Sequence, residues 1–135
     1  MLSRRKFSAC AICAMAGFTA IEIVGEARAA GGIERKILQK VDFPDKYATI
    51  TALVEIDAAA NVARHTHPGV ESAYILEGGI EVTVKGQPAK KFGPGDSFQI
   101  AAETPHSARN GDKPTKALVT YVVERDKPLA SPAPE

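Results

Sequence analysis

Short runs of alternating apolar and polar residues, each closed by a turn, recur along the chain from Tyr47 onward. Ile80, Val82 and Val84 alternate with Glu81 and Thr83, the period of a strand with one buried face. Residues 97–100 put Phe98 and Ile100 on one face and Ser97 and Gln99 on the other, with the apolar pair expected inside. Residues 47–56 set Ile50, Leu53, Val54 and Ile56 among threonines, and residues 117–123 are strongly β-forming throughout. Glu77-Gly78-Gly79 reads as a hairpin turn joining residues 73–76 to 80–84. Further turns are expected at Lys85-Gly86-Gln87-Pro88, Gly93-Pro94-Gly95-Asp96 and Asn110-Gly111-Asp112. Turns about every ten residues predict an all-β sandwich or barrel. No stretch carries a helical period; residues 34–40 are expected to manage two helical turns at most.

The two ends follow other rules. Ser3-Arg4-Arg5-Lys6-Phe7 is a basic start, followed by an alanine-rich apolar stretch to about Ile21. That stretch falls short of the roughly 20 apolar residues a membrane span needs. Ala27-Arg28-Ala29 offers the small-x-small site of a signal peptidase. The start resembles a twin-arginine signal, the type that exports folded proteins. Residues 1–29 are therefore expected to be an export signal, residues 30–127 one domain, and residues 128–135, with three prolines, an extended tail. The expected location is the periplasm.

Of 17 basic and 16 acidic residues, four (Arg4, Arg5, Lys6, Arg28) and two (Glu22, Glu26) precede Ala30, leaving 13 and 14. A near-neutral domain with no basic run beyond Lys90-Lys91 makes nucleic acid and anionic membrane poor partners. Both cysteines, Cys10 and Cys13, lie in the signal, so the domain is expected to have no disulfide. Its stability must come from core, metal and a subunit interface.

The chemistry rests on the chain's three histidines. His65 and His67 lie two apart, Glu71 follows four residues later, and His106 stands in Thr104-Pro105-His106-Ser107. Residues two apart on a strand face the same way, so His65 and His67 form one bite. Pro68-Gly69 lets Glu71 swing to the same ion, and His106 is expected from another strand across the barrel. Three imidazoles and a carboxylate are a 2-His-1-carboxylate triad with one histidine added. On a six-coordinate ion they leave two positions open. His-Glu-x-x-His is absent, and the chain is too short for an eight-stranded α/β barrel.

The sequence resembles the cupins. Their first motif is Gly, five residues, His-x-His, three or four residues, Glu, six residues, Gly; His65, His67, Glu71 and Gly78 fit it, with Ala59 in place of the first glycine. Gly95, His106 and Asn110 fit the second motif, in which Ala101 replaces a proline and Glu103 a glycine. The resemblance implies a double-stranded β-helix, or jelly-roll, cupin barrel. It implies one divalent transition metal ion held by His65, His67, Glu71 and His106. Manganese or iron is favoured, with nickel, zinc and copper as alternatives. It further implies a small-molecule substrate, and a homodimer formed at a sheet edge.

The fold hosts many reactions. The general look is that of quercetin-dioxygenase-like cupins, so a dioxygenase-like enzyme is the leading expectation. The alternatives are a lyase or isomerase using the ion as Lewis acid, and a non-catalytic binder. Glu71 is the candidate catalytic residue, as a ligand that also accepts a proton. Tyr74 sits at an odd offset from Glu71 and is expected on the opposite sheet face. Tyr121 can face either way. Arg64 and Arg109 are expected at the surface, Glu103 at the rim, and the pocket is expected to be largely apolar.

Overall fold

In the computed structural model the described residues are 27–29 and 31–135. The basic start, the apolar stretch and both cysteines lie outside them. Eleven strands follow one another: β1 (Ala27–Ala29), β2 (Ile33–Phe43), β3 (Tyr47–Ile56), β4 (Asn61–Thr66), β5 (Gly69–Glu77), β6 (Ile80–Val84), β7 (Lys90–Phe92), β8 (Ser97–Ile100), β9 (His106–Asn110), β10 (Thr115–Glu124) and β11 (Ser131–Pro132). They form a six-stranded sheet, β1-β2-β3-β10-β5-β8, and a five-stranded sheet, β11-β4-β9-β6-β7. The pairings are antiparallel, and no helix occurs among the described residues. This is the jelly-roll architecture. The core lies between the sheets, where Val54, Ile75, Val82, Ile100, Val119 and Val123 are buried.

Two expectations are corrected. Residues 34–40 are not helical; they belong to β2, which pairs with β3 along its length. Ile33 and Ile37 pack against the core from one face, and the register slips between Ile37 and Gln39. Leu38 is therefore an extra residue, a bulge that breaks the period of two and blurs its signature. Glu77-Gly78-Gly79 is not a hairpin turn either. β5 pairs with β10 and β8, whereas β6 pairs with β9 and β7 in the opposite sheet. The turn carries the chain across the core. Each arm has one apolar face, and these faces meet through the interior rather than side by side.

Asn110 joins the two sheets at one end. Its amide nitrogen lies within 3.0, 2.8 and 3.0 Å of the carbonyls of Ile56, Asp57 and Lys113. Its oxygen lies 2.6 Å from the Thr115 hydroxyl. The last position of the second motif is thus a structural tie and not a ligand.

The motif departures fall where the backbone needs glycine most. Ala59 has φ 60° and Glu103 has φ 55°, both in the left-handed region. That conformation costs an L-residue roughly 1–2 kcal/mol, against about 0.5–1 kcal/mol of extra chain entropy for glycine. Ala59→Gly is expected to raise unfolding free energy by about 0.5–1 kcal/mol, read as an upward shift of the urea midpoint. A lowered midpoint would contradict the strain.

Candidate metal centre

His65 closes β4 near its end, His67 lies just past it, Glu71 is early in β5 and His106 opens β9. His65 and His106 are register partners on adjacent strands of one sheet. His106 therefore does not come from across the barrel, as the sequence led us to expect. Glu71 does, because β5 belongs to the other sheet. Gly69 permits this crossing: a Cβ there would sit 1.9 Å from the Val122 carbonyl oxygen. One ligand atom from each of the four residues lies within 4.8 Å of the others. His67, Glu71 and His106 are buried and His65 is half-buried.

Backbone carbonyls fix all three rings. Nδ1 of His65 donates to Ala63 at 2.8 Å, Nδ1 of His67 to Leu129 at 2.5 Å, and Nδ1 of His106 to Thr104 at 2.8 Å. A carbonyl only accepts, so each Nδ1 carries its proton and each neutral ring aims an Nε2 lone pair inward. His67 Nε2 lies 3.1 Å from His65 Nε2 and 3.2 Å from Glu71 Oε2, and His106 Nε2 lies 3.1 Å from the same oxygen. Glu71 Oε2 and His106 Nε2 are buried without a hydrogen-bond partner. Four lone pairs pressed together repel one another unless a cation or protons lie between them. The donor set of imidazoles and one carboxylate suits a divalent transition metal.

Burial works to raise the Glu71 pKa, but in the metal-free domain a proton on Nε2 of His106 or His67, in place of the lone pair, bonds to the carboxylate and with its charge outweighs burial, holding the carboxyl at about 2. Burial lowers His65 to about 4. His106 is raised: burial opposes this, and the bond to Glu71 prevails. In the metal-free domain the two histidines act in opposite directions. The His106 pairing stabilises the fold at low pH and is lost as pH rises past its folded value. Burying neutral His65 costs stability as pH falls from 6.5 towards 4. Metal binding requires neutral rings, so bound ion should protect the fold at neutral pH and progressively less in acid. The difference in Tm between metal-loaded and chelator-treated protein is expected to shrink steadily as pH falls from neutral to about 4. A gap undiminished at pH 4 would contradict the histidine ligands.

The other candidates divide clearly. Tyr74 is 46% exposed on the outer face, opposite in parity to Glu71 as expected. Tyr121 points inward, is 1% exposed and is the register partner of Glu71. Its hydroxyl is pushed up to about 12 by burial and the Glu71 charge, so it stays protonated. Arg109 and Glu103 are exposed, while Arg64 is half-buried. Ser97 and Gln99 are exposed, Phe98 is half-buried and Ile100 is buried, as their parity predicted.

A cavity of about 60 Å³ opens beside the cluster, lined by His65, Glu71, His106 and Tyr121 among apolar side chains. Arg35 also lines it, a role that sequence reasoning missed. It lies in the segment to which no strand was assigned, and only the strand parity of Ile33, Arg35 and Ile37 could have exposed it.

Residues 52–121, just over half of the chain, match the cupin domain family. This chain belongs to the cupins. Against the dimethylsulfoniopropionate lyase DddQ of Ruegeria pomeroyi, this cupin is 39% identical over 57 residues, which is 42% of this chain and 28% of the lyase. The chain thus matches under a third of that relative's length. The crystal structure of the same lyase superposes with TM-score 0.59 at 25% identity, over 72% of this chain and 56% of that one. KdgF from Halomonas sp. gives 0.57 at 27% identity, over 70% and 82%. The polyketide cyclase RemF from Streptomyces resistomycificus gives 0.63 at 22%, over 81% and 78%, a likeness of fold.

Proposed function

We propose that this cupin is a metal-dependent enzyme that transforms a small organic molecule by Lewis-acid chemistry, as a lyase or isomerase. The observation that carries the reading is the set of four inward-facing donors at the wall of a largely apolar cavity. A divalent ion held there polarises a substrate oxygen. The protein's own contribution is to bind, to orient and to exclude water. Tyr121 presents a protonated hydroxyl as a hydrogen-bond donor. Glu71 is assigned to holding the ion, as the one anionic donor of the cluster.

One observation favours this over oxygen chemistry on a flavonol: the local likeness is to a lyase. Protein loaded with manganese or iron should convert a member of a small-molecule panel without consuming oxygen. Stoichiometric oxygen uptake would return the dioxygenase reading. Tight, metal-dependent binding with no turnover would make the protein a binder.

We further propose export through the twin-arginine-like start to the periplasm. Mass spectrometry of the native protein should find Ala30 as its first residue. Folding before export lets the cytoplasm supply manganese or iron, weaker binders than copper. Copper or zinc in natively exported protein would count against that. A homodimer is proposed from the apolar outer face of the larger sheet, where Val70, Tyr74, Leu118 and Val122 are exposed. Sedimentation should find a mass of twice the chain.

A further inference from the structure

Among the described residues Arg35 is the one strongly basic side chain that lines the cavity, and nothing in the metal-binding pattern uses it. It projects from β2, and its guanidinium carbon lies 5.7 Å from the ring centre of Tyr121. The other neighbour of that ring is His67, with centroids 5.0 Å apart. A single phenol thus separates the guanidinium from the metal cluster. The remaining wall is apolar, with Val54, Ile75, Val82 and Phe98 among its members.

Arg35 Nε is buried and has no hydrogen-bond partner. Among the described residues no carboxylate lies within ion-pair distance of Arg35. Arg35 is half-buried and its guanidinium meets the ring and the hydroxyl of Tyr121. A cation at an apolar wall with no carboxylate beside it is further stabilised by an anion that takes its remaining donors. Guanidinium geometry matches the two oxygens of a carboxylate.

Resting on the reading of this cavity as an active site, we infer that the substrate is a small organic acid whose carboxylate is anchored by Arg35 while its other end faces the metal cluster. The cavity of about 60 Å³ has room for a carboxylate with two or three carbons, at about 10–15 Å³ per water-sized group. Arg35 thereby sets specificity for charge at one end of the cavity, and the ion sets it at the other.

Calorimetric titration of propionate and its neutral isostere propionamide tests this in metal-loaded wild type, Arg35→Gln and Arg35→Lys. Propionate should bind wild type at least tenfold more tightly than propionamide. Arg35→Gln should remove that preference, Arg35→Lys should keep part of it, and propionamide affinity should not change. Metal affinity should be the same in all three proteins. The Tm of Arg35→Gln should change little, since a half-buried side chain with no ion pair is replaced by a polar one. Equal propionate binding by wild type and Arg35→Gln would overturn the inference, as would a marked fall in Tm with no change in ligand preference. Failure of wild type to take up metal would instead sink the enzyme proposal. The carboxylate preference is then read on the metal-free protein, where its absence overturns the Arg35 subsite separately.

Discussion

Glu71→Gln is expected to lower metal affinity by at least about 100-fold, since outer-shell partners alone are worth about 10–100-fold at metal sites. The substitution keeps the size and path of the side chain. It removes the one anionic donor and leaves a dication with three neutral rings. The change also supplies a competing interaction. Glu71 Oε2 stands 3.2 Å from His67 Nε2 and 3.1 Å from His106 Nε2. An amide nitrogen at that place donates a proton to those same lone pairs and satisfies them without an ion. Competition against a chromophoric chelator measures the effect. Retention of wild-type affinity would mean that Glu71 is not a ligand.

Removal of residues 128–135 is expected to cost about 10–100-fold in metal affinity, although this segment contributes no ligand. Leu129 supplies the carbonyl that receives the His67 Nδ1 proton, and its side chain packs against the core. Ser131 and Pro132 then pair with Thr66 and His65 on β4, and the Ala133 amide donates to the Arg64 carbonyl at 3.1 Å. The tail is thus a strap over β4, which carries His65 and leads directly into His67. Without it His67 is free to turn or to move its proton to Nε2, and β4 becomes a sheet edge. The domain should still fold, because β4 keeps its pairing with β9. Leu129→Ala, which keeps the carbonyl but loosens its anchor, should give a smaller loss in the same direction. Equal affinity in full-length and shortened protein would remove the strap from the account.

Much of the site was legible because metal chemistry constrains residue type and spacing. His65 and His67 had to share a face, and Glu71 followed close enough to return to the same ion. Less legible was which side of the barrel each ligand came from. His106 and His65 turned out to be neighbours on one sheet, with Glu71 reaching from the other. Arg35 was hidden by the β2 bulge at Leu38, which disturbs the alternation that marks an inward face. Turn positions showed a similar split. Ala59 and Glu103 were visible as departures from a glycine pattern, and the backbone keeps the left-handed shape there despite them.

The sequence by itself marked the strand-rich stretch from Tyr47 onward, the buried faces of residues 80–84 and 97–100, and the four candidate donors. All of these follow from local periodicity and from which side chains bind metals. The tertiary structure alone decided that residues 73–76 and 80–84 face each other through the core rather than pair. It also decided that Leu129 orients His67, that Tyr121 points inward and that Arg35 enters the cavity. An apolar face records that it is buried but not what it is buried against. Contacts between distant segments are fixed by how two sheets close on a shared interior.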